Sequence, residues 1–103
     1  MKIKVANYIS QFLVDHGVSD AFSVVGGGAM HLNDAFGHQE GLHTTYNHHE
    51  QACAIAAEAY ARLENKIALV CVTSGPGGIN ALTGVCGGGV VFFFFFLFRT
   101  RLA

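Results

Sequence analysis

One stretch decides the fold: Ile67-Ala68-Leu69-Val70-Cys71-Val72 is followed directly by Thr73-Ser74-Gly75-Pro76-Gly77-Gly78. The first half is apolar throughout, which is typical of a strand in a parallel sheet that is covered on both faces. The second half contains three glycines and a proline, so it predicts a tight loop. The residues from Ile79 to Val85 then predict the opening of a helix.

The residues upstream alternate between helical and extended patterns. Apolar residues of the first segment recur at helical spacing until Gly17, which stands where a helix C-cap belongs. The predicted elements are a helix over about 4–16, a strand over 21–25, a helix over 30–36, a strand over 42–46 and a long alanine-rich helix that ends near Leu63. Helices that alternate with strands predict an α/β fold, with a parallel sheet flanked by helices.

The alanine-rich helix has a clear start signal. Asn47 is a good N-cap residue and Glu50 stands three residues later, which together predict an Asn-x-x-Glu capping box. This pattern gives Glu50 a purely structural explanation, because a carboxylate near a helix start is also stabilised by the helix dipole. It does not explain why the same helix is so rich in alanine.

Three unusual loops follow the predicted strands. In a parallel sheet such loops share one edge, where ligands bind. The loop at Gly26-Gly27-Gly28 is not a dinucleotide fingerprint, because His31 stands where the third glycine belongs. The loop at 73–78 is not a Walker A loop, because no lysine follows its glycines. Each loop alone is explained as an ordinary turn from a strand to a helix.

A group of histidines, His43, His48 and His49, lies close to Glu50 in the sequence. Consecutive residues of a helix point in different directions, and an H-E-x-x-H motif would need a histidine at Cys53. We therefore expect no metal site, and interpret the histidines as solvated or hydrogen-bonded side chains.

Composition narrows the class of protein. The chain of 103 residues is 51% apolar and 13% charged, with a net charge of −1, which excludes a disordered polar chain and a basic surface for nucleic acid or membrane. The low charge predicts that some apolar surface is covered by a partner. The first residues lack the apolar core of a signal peptide, and the three cysteines form no C-x-x-C pair, so we expect a cytoplasmic protein.

The end of the chain has a different character. Val90 to Phe98 is an unbroken run of nine apolar residues, about half of what a membrane-spanning helix needs. Its five consecutive phenylalanines show neither strand alternation nor a helical stripe. We interpret residues 89–103 as a low-complexity, non-native tail, and expect its removal to raise solubility. A strand buried on both faces is the alternative.

Several motifs, taken together, resemble a known family. The sequence contains His49-Glu50-Gln51, an alanine-rich helix that ends Tyr60-Ala61-Arg62, then Thr73-Ser74-Gly75-Pro76-Gly77 and Asn80. In this order and spacing they resemble the N-terminal pyrimidine-binding domain of thiamine-diphosphate-dependent enzymes of the acetolactate synthase type. The stretch 22–28 is similar to the Pro-Gly-Gly turn of that family. The resemblance covers residues 1–88, and so implies an incomplete pyrimidine domain.

The resemblance implies a role for specific residues. Glu50 matches the catalytic glutamate that hydrogen-bonds N1′ of the aminopyrimidine and favours the tautomer whose 4′ nitrogen takes the proton from thiazolium C2. The implied cofactor-binding residues are Val25, Gly26, Glu50, Thr73, Pro76 and Asn80. Val25 departs from the usual proline of the family, His48 from a frequent arginine and Ala59 from a common glycine.

The resemblance also implies the activity of a parent enzyme. That enzyme would be a homo-oligomeric carboligase or decarboxylase, a transferase or lyase that acts on 2-oxo acids with thiamine diphosphate and magnesium. The magnesium site belongs to a diphosphate domain that this sequence lacks. The match stops abruptly before the tail, as after a frameshift, so we expect the fragment to be inactive alone. The alternative is a non-catalytic α/β fragment that only associates with full-length relatives.

Overall fold

The computed structural model describes residues 2–90 as helices packed on both faces of a small sheet. The elements are α1 (Val5–Asp15), β1 (Asp20–Ser23), a 3₁₀ turn (Gly27–Ala29), α2 (Met30–His38), β2 (His43–Tyr46), α3 (Glu50–Glu64), β3 (Leu69–Cys71) and α4 (Pro76–Val90). The predicted α/β class and the order of its elements are confirmed. Most of the predicted non-native tail, from Val91 onward, lies outside the described residues.

The sheet is parallel, with the strand order β2-β1-β3. Ala21 in the central strand pairs with Thr44 on one side and with Leu69 on the other. Because the three strands run in one direction, the loops that follow Ser23, Tyr46 and Cys71 all leave the same edge of the sheet. This carboxyl edge is where a ligand site is expected in such folds.

Each face of the sheet has its own apolar core. Ala21, Leu69 and Cys71 point towards α1 and α2, where they pack with Leu13 and Phe36. The alternate residues point towards α3 and α4, and this second core contains Phe22, Cys53, Ala54, Ala57, Val70, Val72 and Ala81. Burial on both faces explains why the stretch from Ala68 to Val72 contains no polar residue.

The predicted capping box at Asn47 is wrong. Helix α3 begins at Glu50, and its N-cap is His49, whose Nδ1 accepts a hydrogen bond from the backbone N–H of Gln51 at 3.0 Å. The backbone N–H of Asn47 instead donates to the carbonyl of Ser23 at 2.9 Å. Asn47 therefore continues the pairing of β2 with β1, and its N–H is not available for the bond to the Glu50 side chain that a capping box requires.

The other boundaries agree closely with the sequence patterns. Gly17 ends α1 with a positive φ of 88°, and its N–H donates to the carbonyl of Val14, as the C-cap prediction required. Helix α4 begins at Pro76, three residues before the predicted start, because proline is well suited to the first position of a helix. Within residues 2–90, no helix is both long enough and apolar enough to cross a membrane.

Candidate functional site

Glu50 lies at the carboxyl edge of the sheet, as the first residue of α3. Its carboxylate is half-buried, and Oε2 accepts a hydrogen bond from the side-chain amide of Asn80 at 3.2 Å. Asn80 belongs to α4, so this bond joins the first turns of two neighbouring helices. Because Glu50 is not part of a capping box, its carboxylate does not accept the backbone hydrogen bond that the sequence predicted.

Gly77 leaves a space beside the second carboxylate oxygen of Glu50. A Cβ atom added at Gly77 would lie 3.5 Å from Glu50 Oε1 and only 2.8 Å from Cγ2 of Thr73. Any side chain here would collide with Thr73 and reduce the room next to Oε1. The sequence motif contained Gly77, but its position beside Glu50 depends on how α3 and α4 pack.

The side chain of Thr73 contacts the loop at Gly26-Gly27-Gly28 and so joins it to the loop at 73–78. Its hydroxyl oxygen accepts a hydrogen bond from the backbone N–H of Gly28 at 3.1 Å. A Cβ atom at Gly26 would lie 2.5 Å from Cβ of Thr73, and one at Gly28 would lie 2.8 Å from its hydroxyl oxygen. Gly26 has an extended φ of −171°, so glycine is needed there for the close approach of Thr73 rather than for backbone freedom.

Val25 and Pro76 lie at the same edge but do not join this group of contacts. Val25 follows β1 and is 63% exposed, and Pro76 is exposed at the start of α4. Between Thr73 and Pro76 the chain turns at Gly75, whose φ of 73° favours glycine. The structure therefore brings Gly26, Glu50, Thr73 and Asn80 together and leaves Val25 and Pro76 as exposed flanks.

The packing of α4 against α3 sets the distance between Asn80 and Glu50. A Cβ atom at Gly84 would lie 2.4 Å from Cβ of Ala54, so only a glycine permits this helix contact. Within residues 76–88 of α4, the buried residues are Gly77, Ala81, Gly84 and Gly88. Sequence reasoning noted the alanines of α3 but missed Gly84, although this spacing of small residues is a visible helical stripe.

The two buried cysteines are structural. Burial raises the pKa of the Cys53 thiol and that of the Cys71 thiol to about 11 in each case. Both are therefore protonated near neutral pH and unsuited to act as nucleophiles. The Cys53 thiol donates to Oδ1 of Asn47 at 3.4 Å, which joins α3 to the loop before it. Among residues 2–90, no cluster of three or more histidine, cysteine or acidic side chains has the geometry of a metal site.

Comparison with known proteins gives the family. The model of the family described as "Thiamine pyrophosphate enzyme, N-terminal TPP binding domain" matches residues 3–89. The chain belongs to this family. The match includes all three loops at the carboxyl edge, and so the thiamine diphosphate resemblance that the motifs indicated is confirmed at the level of the domain.

Curated proteins that are similar to this chain include acetolactate synthases. The large subunit from Haemophilus influenzae is 39% identical over 84 residues, which are 82% of this chain and 15% of that protein. The large subunit from Lactococcus lactis is 40% identical over 77 residues (75% and 13%), and isozyme 3 from Escherichia coli is 36% identical over 80 residues (78% and 14%). The chain thus spans about one seventh of the length of these relatives.

The residues at the edge suit the aminopyrimidine half of thiamine diphosphate. A carboxyl group is a good partner for a ring nitrogen, and the residue beside Oε1 of Glu50 is Gly77, which carries no side chain. The hydroxyl oxygen of Thr73 accepts a hydrogen bond from the backbone N–H of Gly28, and its O–H can still donate one.

Proposed function

We propose that this chain supplies the aminopyrimidine half of the cofactor site in an acetolactate synthase-like enzyme that acts on 2-oxo acids. The observation that carries the proposal is the half-buried carboxylate of Glu50, fixed by Asn80 at the start of two adjacent helices. A carboxylate held only as a helix cap would bond to backbone N–H groups, whereas this one bonds to the side chain of Asn80 and has Gly77, which carries no side chain, beside its other oxygen.

In this proposal Glu50 holds a proton for N1′ of the aminopyrimidine ring. The amide of Asn80 occupies Oε2, which leaves Oε1, on the Gly77 side, to hold that proton. When bound, thiamine diphosphate supplies a thiazolium carbon that adds to carbonyl carbons. Thr73 and the glycines around it give the ring a rigid wall, and Val25 and Pro76 contribute exposed apolar contacts.

The parent enzyme that we propose is a homo-oligomeric carboligase or decarboxylase, a transferase or lyase that needs magnesium. The magnesium and diphosphate contacts would come from a further domain, and the chain by itself would be inactive. The cytoplasm is the proposed compartment, and the free state of Cys53, Cys71 and Cys86 supports it.

The test replaces Glu50 by Gln in a chimeric enzyme. Residues 3–88 of this chain would replace the matching segment of the Haemophilus influenzae acetolactate synthase large subunit. Glu50→Gln keeps the size of the side chain and removes the titratable proton, so kcat should fall by a factor on the order of 10²–10⁴. The matched control is Glu64→Gln, at the exposed opposite end of α3, which should keep the parental rate.

Exchange of the C2 proton of bound cofactor, followed by NMR, gives a second readout that does not depend on substrate. It should slow in the Glu50→Gln chimera and remain unchanged in the Glu64→Gln chimera. Parental exchange in both chimeras would refute the role proposed for Glu50.

A further inference from the structure

The helix that carries Glu50 begins with an uncommon cap, the side chain of His49. His49 is the N-cap of α3, with an extended backbone (φ −150°, ψ 141°), and its Nδ1 lies 3.0 Å from the backbone nitrogen of Gln51. A backbone N–H can only donate a hydrogen bond, so Nδ1 must accept it. A histidine nitrogen accepts only when it carries no proton. The ring of His49 is therefore neutral in this structure, with its proton on Nε2.

Protonation of His49 would remove this cap. The imidazolium form carries an N–H on both ring nitrogens, so Nδ1 could no longer accept from Gln51. It would also place a positive charge at the end of α3 where the helix dipole is already positive. The cap stabilises the start of α3 while the ring is neutral. This contribution is lost as pH falls from about 8 to about 5, the range in which a histidine ordinarily gains its charge.

The hydrogen bond of the cap spans Glu50. Because Glu50 lies between His49 and Gln51, the bond fixes the backbone from which the Glu50 side chain extends. The carbonyl of His49 also accepts a hydrogen bond from the backbone N–H of Cys53 at 3.3 Å, so this residue supplies two acceptors to the first turn. A change in that turn would shift the carboxylate of Glu50 relative to Asn80, which belongs to α4.

The elements packed against α3 carry no charge near the cap. Helix α3 contacts α4, β1 and β3. Over their described lengths, α4 and β3 contain no charged residue and no histidine, and the charged residue of β1 is Asp20, at the opposite edge of the sheet. A tyrosine and a buried thiol ordinarily keep their protons below about pH 8. The titratable residues that adjoin His49 along the chain or in the first turn of α3 are Tyr46, His48, Glu50 and Cys53.

We propose that His49 is a positioning residue whose neutral imidazole holds the first turn of α3, and that uptake of a proton by this ring releases Glu50 from its place beside Asn80. The inference deepens the proposed function and rests on it for the effect on catalysis. The cap itself can be measured without cofactor or substrate, so the two proposals can fail separately. The consequence is a cofactor site that becomes less ordered as pH falls.

The test follows two groups of the 103-residue chain by NMR between about pH 8 and about pH 5: the backbone amide of Gln51 and the side-chain amide of Asn80. The protection of the Gln51 amide against hydrogen exchange is corrected for the intrinsic effect of pH on exchange. In the parent chain it should fall by about twofold to thirtyfold, the range for loss of an N-cap. The Asn80 signals should shift over the same pH interval.

Three variants separate the cap from other effects. His49→Asn provides a good cap that does not titrate, so protection at Gln51 should stay constant over this range. His49→Ala has no side-chain acceptor, so the Gln51 amide should be as weakly protected at pH 8 as it is in the parent chain at about pH 5. His48→Asn is the matched control and should behave like the parent, because His48 is also an exposed histidine and adjoins the cap in the chain.

Either of two NMR results overturns the proposal. A pH dependence of protection at Gln51 that survives in His49→Asn would show that another group titrates. A shift of the Asn80 signals that is equal in the parent chain and in His49→Asn would belong to Glu50 itself, and His49 would then not position it. Protection that varies with pH in the parent chain and in His48→Asn, but not in His49→Asn, supports the proposal.

The catalytic consequence is measured in the acetolactate synthase chimera, as the pH profile of kcat/KM. The acid side of the profile should be shallower in His49→Asn than in His48→Asn, and equal profiles would count against a positioning role. A parental rate in the Glu50→Gln chimera would instead refute the proposed function, and would leave the NMR test of the cap unchanged.

Discussion

At the level of single residues, the candidate site depends on two side chains that meet across a pair of helices, Glu50 and Asn80. The amide of Asn80 is a donor only at its nitrogen, and that nitrogen faces the carboxylate. The bond fixes one oxygen of Glu50 and thereby orients the other. Asn80 is in this sense a positioning residue for the proposed proton transfer.

Replacement of Asn80 by Ala should weaken catalysis without unfolding the domain, because Asn80 is exposed. A hydrogen bond between neutral groups, as in the protonated state of Glu50 that we propose, contributes about 0.5–1.5 kcal/mol, so kcat/KM of the chimera should fall roughly twofold to tenfold. Thr83→Ala is the control, since Thr83 is also exposed and lies one turn further along α4. Equal kinetics in the two variants would remove Asn80 from the site.

The sequence motifs named all four residues that the structure brings together, Gly26, Glu50, Thr73 and Asn80, and their role in binding a cofactor stays a prediction. The contacts that position them could not be predicted from the sequence. The N-cap of α3 moved from Asn47 to His49 because the N–H of Asn47 is taken by Ser23 on another strand. A local pattern cannot report competition from a distant carbonyl.

At the level of elements, helices α3 and α4 pack so closely that only a glycine fits at position 84. The space at Gly84 is filled by Ala54, whose Cβ would lie 2.4 Å from any Cβ added there. Gly84→Ala should therefore destabilise the chain by about 1–3 kcal/mol, despite the better helix propensity of alanine. Chemical denaturation of the 103-residue chain measures this change.

Gly78→Ala on the same helix is the matched comparison for Gly84→Ala. The nearest atom to a Cβ at Gly78 is the carbonyl oxygen of Thr73, at 4.0 Å. With no collision, propensity alone should stabilise the chain by about 0.5–1 kcal/mol. If both variants shift stability in the same direction, the close helix contact does not control it.

The far end of α3 is tied to the amino edge of the sheet by Tyr60 and Asp20. The hydroxyl of Tyr60 donates to Asp20 at 2.6 Å, and this bond raises the pKa of Tyr60. Burial alone would raise the pKa of Asp20, but hydrogen bonds from Tyr60 and Ser19 and the nearby positive charges of His43 and Lys66 outweigh it and lower that pKa.

These two shifts predict how stability depends on pH. A lowered acid pKa stabilises the fold above the ordinary value of about 4 and loses this contribution as pH falls further. A raised tyrosine pKa stabilises it below about 10 and loses this contribution as pH rises. The difference in unfolding free energy between the parent chain and Tyr60→Phe should thus be largest between these limits and shrink on both sides.

Denaturant unfolding at a series of pH values gives this difference directly. Tyr8→Phe is the control, because Tyr8 is exposed on α1 and keeps its ring contact with Phe12 without the hydroxyl. A difference for Tyr60→Phe that stays constant from pH 3 to 11 would contradict the assignment.

At the level of the whole molecule, the sequence predicted the fold well because each element has a strong local signal. The apolar stretch before Thr73, the alanines of α3 and the glycine after α1 each specify one element. The strand order was not specified, since nothing local to β3 shows that it pairs with β1. Such pairing depends on residues that are far apart in the chain.

The 103-residue chain should show no carboligase or decarboxylase activity with pyruvate, thiamine diphosphate and magnesium. It matches about one seventh of the length of its acetolactate synthase relatives, and the proposed metal and diphosphate contacts belong elsewhere in such an enzyme. The assay compares purified chain, free of host synthase, with a blank that lacks protein. Turnover above the blank would contradict the proposed division of the site.

The close contact of Gly84 with Ala54 also limits which mutations this domain can accept during evolution. Glycine has no side chain, so every amino-acid substitution at Gly84 makes the residue larger. A replacement of Ala54 by Gly would remove only one of the atoms in the way, because a Cβ at position 84 would also lie 2.9 Å from the backbone nitrogen of Ile55 and 3.0 Å from the carbonyl carbon of Ala54. No side-chain change in α3 moves its own backbone away, so lineages that keep this packing of α3 and α4 should keep glycine at position 84.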